Sequence, residues 1–366
     1  MLHPESNRKA FIASSIGALA VGALATPARS DAAPQFMSVP LPPEDRRADA
    51  DMQRVLQQLA NFHSPRLPTV TPDVARELPS FADALQATLS AEGKPCVEPV
   101  GEVFHRVIPG PGGQLLLRVY VPSGVAGPYP IAMYYHGGGF VIASLDTYDA
   151  SPRSLANGSR AAIVSVAYRK APEHPFPAAV EDAFAAYLWV LDNAASMGGD
   201  PKRIAVVGES AGGNLATVVS ILARDRNVRL PVHQVLVYPV TTFVAGPPPP
   251  SYLENPTTIP LATPDLGFFK KYYLRSPSDA MNPLVSPILA NLKGLPPATI
   301  INADIDPLRD NGAQYAARLK AASVPVTRSL YRGVTHEFFG MGAAVVKARQ
   351  AMQEATAALS ASFRTG

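Results

Sequence analysis

The chain runs to 366 residues, 47% of them hydrophobic and 17% charged, which excludes a disordered tail protein and permits one large core or two smaller ones. Its 32 Lys and Arg against 29 Asp and Glu leave a net charge of +3, spread without the concentrated basic face that phosphate backbones require, so nucleic acid is not an expected partner. A single cysteine, Cys96, excludes an intramolecular disulfide and a thiolate metal cluster, and 38 prolines against 26 glycines point to stiffened loops.

Residues 1–33 read as a secretory leader. Arg8 and Lys9 open it, Phe11 to Ala25 carry no charge, and small residues at Ala23, Ala25, Ala28, Ala32 and Ala33 offer a cleavage point near 28–33. The run Arg8-Lys9-Ala10-Phe11-Ile12 is similar to a twin-arginine signal with one lysine exchanged, which implies an exported protein, periplasmic or extracellular. A retained anchor is the alternative, but the apolar run is short for a span and no stop-transfer flank follows, so no stable membrane insertion of the mature protein is expected.

After a proline-rich spacer at Phe36 to Pro43, the segment Glu44 to His63 places Met52, Val55, Leu56, Leu59 and Phe62 at helical spacing. Thr71 and Pro72 read as N-cap and first helical position of a second helix through about Leu89, with Val74, Leu78, Phe81 and Leu85 on one face. Eight short apolar or β-branched runs then predict strands at 102–108, 114–121, 131–135, 162–167, 203–207, 234–238, 298–302 and 326–331. The first two pair as a hairpin through Pro109-Gly110-Pro111-Gly112-Gly113, and helices at 178–195, 211–224, 311–322 and 338–363 separate the later ones. Right-handed crossovers give an α/β fold with a mostly parallel sheet covered on both faces, whose chemistry belongs at the carboxyl ends of its strands. Residues 241–297 break the rhythm with Pro247 to Pro250 and an aromatic helix around Phe268, Phe269, Tyr272 and Tyr273, and could join the N-terminal helices as a lid. For these aromatics and for Phe140, core packing is the default expectation.

Gly208-Glu209-Ser210-Ala211-Gly212 lies between a predicted strand and a predicted helix, the context of a nucleophile elbow: a turn so sharp that its flanks must be glycine-sized and Ser210 Oγ is thrown clear. The N–H of Ala211 begins the helix and faces developing negative charge. A serine hydroxyl needs a base, and of seven histidines His336 alone follows the last strand, in a short loop 332–335 at the carboxyl edge of the sheet. Its orienting carboxylate is expected after strand 298–302, where Asp304, Asp306 and Asp310 cluster. Asp306 is favoured because Pro307 fixes its turn, Asp304 is the rival, and Asp310 reads as a helix cap. His136-Gly137-Gly138-Gly139-Phe140 follows strand 131–135, and its glycines let backbone N–H groups turn toward an anion, so this is the expected oxyanion loop, with His136 as a structural hydrogen-bonding residue.

From Val103 onward these residues resemble the hormone-sensitive-lipase-like esterases, bacterial family IV of the α/β hydrolases. The resemblance rests on the loop at 136–139, the elbow at 208–212 with Gly213, the structural block Tyr168-Arg169-Lys170-Ala171-Pro172-Glu173-His174-Pro175-Phe176-Pro177-Ala178-Ala179 followed by Glu181-Asp182, the segment Asp306-Pro307-Leu308-Arg309-Asp310, and His336. It implies a Ser210-His336-Asp306 triad, an oxyanion hole formed by the amides of Gly138, Gly139 and Ala211, and a cap over an acyl pocket. With the leader at 1–33, the chain is expected to divide into a linker with cap helices at 34–100 and a catalytic domain at 101–366 with a cap insertion at about 241–297, the helices and the insertion forming the cap that the resemblance implies. Two residues depart from the family pattern. Glu209 stands where aspartate or threonine is usual and should alter the hydrogen bonding behind the elbow, and Glu337 stands where glycine is common and should shift the histidine's pKa or the entrance charge. The expected activity is hydrolysis of short to medium acyl esters, with no metal or organic cofactor and a homodimer left open. Amidase, lactonase or carbamate hydrolase chemistry on the same site is an alternative, as is a small-molecule receptor on the same scaffold. A true lipase fits less well, since the lid sequence offers no large exposed apolar face.

Overall fold

The alternation of short β-branched runs with apolar-striped segments builds an eight-stranded sheet in this computed structural model, which describes residues 39–365. The expected leader at 1–33 lies outside the described residues, and among those described no helix is long and apolar enough to cross a membrane. The strands are β1 (Glu102–Gly110), β2 (Gly113–Val121), β3 (Tyr129–Tyr135), β4 (Ala162–Val166), β5 (Gly199–Glu209), β6 (Gln234–Val237), β7 (Ala298–Ile305) and β8 (Val326–Thr335), in the spatial order β1-β2-β4-β3-β5-β6-β7-β8. The β1–β2 and β2–β4 pairings are antiparallel and all the others parallel.

Because side chains alternate across a strand, neighbouring residues feed opposite faces. Val119, Met133, Val164, Val206, Leu236 and Ile300 pack with α5 (Ala178–Asn193), α6 (Ala211–Asp225) and α9 (Arg309–Ala321). Their neighbours Tyr120, Tyr134, Ile163, Val207, Val237 and Ile301 pack with α4 (Ala150–Ser159) and α10 (Val346–Thr365). α1 (Ala50–Asn61) and α3 (Phe81–Ala91) extend that second layer, burying Met52, Val55, Leu56, Leu85 and Leu89. The described residues, 39–365, form one compact unit.

All eight strands stand where the sequence places them, but several boundaries differ for local reasons. The single helix expected from Pro72 to Leu89 is two, α2 (Pro72–Glu77) and α3, because Pro79 turns Leu78 extended and Ser80 with Asp83 opens a fresh capping box. Val74 is consequently exposed. The helix expected over 338–363 is a 3₁₀ turn, Phe338–Met341, followed by α10, with Gly340 and Gly342 interrupting the run. Helix α4, whose Ser-, Asn- and Gly-containing sequence carries weak propensity, was not predicted and is held by Leu155 and Ala156 in the core. Segment 332–335 is strand rather than loop. A register irregularity opposite Ala303 and Ile305 lets β8 continue to Thr335, so His336 issues directly from the sheet.

Between β6 and β7, residues 241–297 carry α7 (Pro250–Glu254), α8 (Thr263–Tyr273) and 3₁₀ turns. The N-terminal segment is tied to this insertion. Glu44 accepts from the Thr257 hydroxyl at 2.8 Å, Asp45 from the Thr258 hydroxyl and from the Ile259 N–H at 3.0 Å, and Arg47 donates to Asn255 at 2.8 Å. Asp45 is fully buried there, and desolvation lifts its carboxyl to about 6.

Candidate active site

The parallel strands deliver four chemistry-bearing segments to one edge: His136 after β3, Ser210 after β5, Asp306 after β7 and His336 after β8. Ser210 sits at φ 55° and ψ −116°, a sparsely populated conformation worth about 1–3 kcal/mol of strain. Its N–H donates to the Val237 carbonyl at 2.9 Å, and its own carbonyl accepts from Asn214 at 3.2 Å and Val240 at 3.2 Å. The turn closes only with glycine on both flanks: a Cβ on Gly208 would lie 2.0 Å from the Gly212 carbonyl oxygen, and one on Gly212 would lie 1.9 Å from that of Tyr135. The elbow is thereby wedged against the end of β3, beside the glycine loop.

That loop turns at Gly138, whose carbonyl accepts from Val141 at 3.0 Å and Ile142 at 2.9 Å. The N–H groups of Gly138 and Gly139, like that of Ala211 at the start of α6, donate to no protein acceptor among the described residues and remain free for an anion. Gly139, at φ 60°, faces Phe269 so closely that a Cβ would meet the ring at 2.1 Å. Behind Gly137, His136 is buried and stacked on Tyr168 at 4.3 Å, with its Nδ1 2.8 Å from the Gly137 carbonyl oxygen. Desolvation drives its pKa down to about 3, which leaves it a neutral packing and hydrogen-bonding residue. The Arg169 block is likewise structural. Its guanidinium grips buried Asp182 at 2.9 Å, and the Ala171 N–H donates to the Phe140 carbonyl at 2.9 Å, bracing the glycine loop.

His336 is buried, and its Nδ1 lies 2.9 Å from Asp306 Oδ2, while Asp306 Oδ1 accepts from the Leu308 N–H at 2.8 Å. Burial pulls the imidazole pKa down, but the Asp306 carboxylate, helped by Glu337 and Glu209, outweighs it and leaves His336 above its ordinary value. Among the described residues no other histidine meets a buried carboxylate: His63, His105 and His174 are exposed, and His233 bonds Thr299 and Ser362. Asp304 faces Arg309 at 3.8 Å instead. Asp310 does not cap α9, whose N-cap is Leu308. Already inside the first turn, it accepts from the Ser251 N–H at 2.9 Å and so ties α7 to α9.

Two further carboxyls lie buried beside the imidazole. Glu209, behind the elbow, accepts from both the Tyr134 and Tyr238 hydroxyls, and burial raises its pKa. Glu337 accepts from the Tyr148 hydroxyl at 2.6 Å, and its Oε1 lies 3.7 Å from His336 Nε2. The two departures from the family pattern marked the carboxyls, but no local spacing joins Tyr134, Tyr148 and Tyr238 to them.

Ser210 borders two cavities. One, of about 520 Å³, is walled by Phe140, Phe243, Leu266 and the proline rim Pro247 to Pro249. The other, of about 600 Å³, runs past His336, Glu337 and Tyr148 toward α2, α3 and His63. Gly139, Ser210, Leu261 and Phe269 border both and divide them. Phe269 packs in the core, the default expectation, and also walls both chambers, whereas Tyr273 is core alone, stacked on Phe140 at 3.8 Å. Among the described residues no group of three or more His, Cys, Asp or Glu side chains is placed to hold a metal ion.

Residues 132–340 match the family of the α/β hydrolase fold. The carboxylesterase NlhH of Mycobacterium tuberculosis is 43% identical over 247 residues, covering 66% of this chain and 77% of the relative. The esterase LipI of the same organism is 40% identical over 270 residues, covering 72% and 83% respectively. Among solved structures, a hyperthermophilic esterase from the archaeon Pyrobaculum calidifontis superposes with a TM-score of 0.78 at 39% identity, over 88% of this chain and 99% of that one.

Proposed function

This chain belongs to the hormone-sensitive-lipase-like family of α/β hydrolases, and from that premise we propose that it hydrolyses carboxylic esters of short to medium acyl chains through an acyl-enzyme on Ser210. Esterase relatives support the reaction class, and the observation that carries the assignment to residues is that Ser210, His336, Gly138 and Gly139 line one cavity, with the Ala211 amide opening the helix directly after Ser210. Ser210 Oγ attacks the ester carbonyl as His336 Nε2 takes its proton, and Asp306 holds Nδ1 protonated and stabilises the imidazolium. The amides of Gly138, Gly139 and Ala211 receive the oxyanion, each such donor being worth about 3–4 kcal/mol. His336 then gives its proton to the departing alkoxide, and water repeats the cycle on the acyl-enzyme.

This chemistry also orients the substrate. The leaving oxygen must lie within reach of Nε2, so the alcohol occupies the chamber that His336 borders, and the acyl chain occupies the 520 Å³ chamber that it does not. Each methylene buried among Phe140, Phe243 and Leu266 should add about 0.8 kcal/mol, roughly fourfold in kcat/KM, until the wall is reached. A p-nitrophenyl ester series is therefore expected to rise from acetate, peak at about four to eight carbons and fall at least tenfold by about twelve. A flat series, or one still rising at long chains, would contradict this placement. We also propose export, on the leader pattern at 1–33. Secreted protein from an expressing bacterium is expected to begin, by N-terminal sequencing, within residues 29–34.

A further inference from the structure

Glu337 follows the histidine at φ 67°, a left-handed conformation in which a side chain costs energy that glycine would not. The side chain it nonetheless carries is buried. Tyr148 anchors Oε1 at 2.6 Å, Oε1 stands 3.7 Å from His336 Nε2, and Oε2 has no hydrogen-bond partner among the described residues. The carboxyl therefore adjoins the ring nitrogen that Asp306 leaves free, the one that must exchange its proton with Ser210. We infer that Glu337 is a positioning residue for His336, acting on Nε2 and setting the pH at which the imidazole becomes free to accept the Ser210 proton. The inference rests on the acyl-transfer reading above.

The groups facing this carboxyl are His336, Asp306 at the end of β7, Glu209 at the end of β5, and the hydroxyls of Tyr134 on β3, Tyr148 before α4, Tyr168 after β4 and Tyr238 after β6. Burial lifts Glu337 to about 7, and the anions around His336 lift the imidazole above its ordinary value, so the titrations of the two neighbours are coupled. With one proton between them, the pair divides between a neutral imidazole beside a carboxylic acid, which can act as base, and an imidazolium beside a carboxylate, which cannot. Removing the carboxylate takes away one anion that holds His336 up, so the imidazole sheds its proton at lower pH.

The test is the pH profile of kcat/KM from about 5 to 9 for the wild type and Glu337→Gln, which keeps the shape and the Tyr148 hydrogen bond. The acid limb of the variant is expected to fall by about one pH unit and to become a single ionisation, raising the ratio of kcat/KM at pH 5.5 to that at pH 8.5 about tenfold. An unmoved limb would assign Glu337 to packing alone and overturn the inference. Should Glu337→Gln not fold, Glu337→Gly, suited to the left-handed backbone, carries the same expectation and the same refutation. Failure of the underlying reading looks different: wild-type Ser210 would then take no covalent label from a fluorophosphonate, whereas a labelled Ser210 with an unmoved limb removes only the role of Glu337.

Discussion

Replacing Ser210 by alanine is expected to lower kcat for p-nitrophenyl butyrate by at least about 10⁴-fold while leaving the protein folded. The two halves of this expectation have separate physical grounds. Chemically, Ser210 borders the cavity that Gly138, Gly139 and His336 also line, and on the acyl-transfer reading the loss of Oγ leaves water to attack unaided. Structurally, Ser210 is buried, its side chain makes no hydrogen bond among the described residues, and its removal orphans no partner. The alanine variant should therefore melt within a degree or two of the wild type. Ser210→Gly extends the test. It is equally inactive, but it relaxes a residue held at φ 55°, and recovering part of about 1–3 kcal/mol of strain should raise the melting temperature. Turnover retained by either variant would remove the acyl-enzyme from the account, and a glycine variant less stable than the alanine one would show that the elbow is not strained.

How much of this was legible in the sequence follows from how local each signal is. The elbow and the glycine loop are short-range: Gly208, Gly212 and Gly138 are required by contacts within a turn or between adjacent strand ends, so a motif of a few residues carries them. The strands declared themselves through β-branched composition. The break at Leu78-Pro79-Ser80 was equally local and could have been read from proline and the capping box, but the continuing apolar spacing overrode it. What could not be read is the joining of residues by topology alone. Tyr134, Tyr148 and Tyr238 come from three different segments to hold Glu209 and Glu337, and Phe269 reaches from the insertion to divide two chambers. Helix propensity was also misleading at α4, where burial of Leu155 rather than intrinsic preference decides the conformation.

The choice between Asp304 and Asp306 rested on turn chemistry in the sequence, and side-chain geometry now makes it testable with a large effect. Asp306 is fully buried, with one oxygen on His336 Nδ1 and the other on the Leu308 N–H, whereas Asp304 lies beside the Arg309 guanidinium. Asp306→Asn is expected to cost about 10⁴-fold in kcat, because an amide can present its N–H to Nδ1 and so favour the tautomer whose Nε2 already carries a proton and cannot accept that of Ser210. It also removes the foremost anion lifting the imidazole, so His336 falls below its present pKa and the residual activity should show its acid limb at lower pH. Asp304→Asn disturbs only a partly exposed pair at 3.8 Å, worth about 0–1 kcal/mol, and should leave kcat within a fewfold. Comparing the two variants on the high-pH plateau of their pH profiles isolates tautomer and orientation from simple protonation. Equal losses in the two would mean that the carboxylates act through the stability of the 304–310 turn, whereas a large loss at Asp306 alone would mean that a single buried anion orients the base.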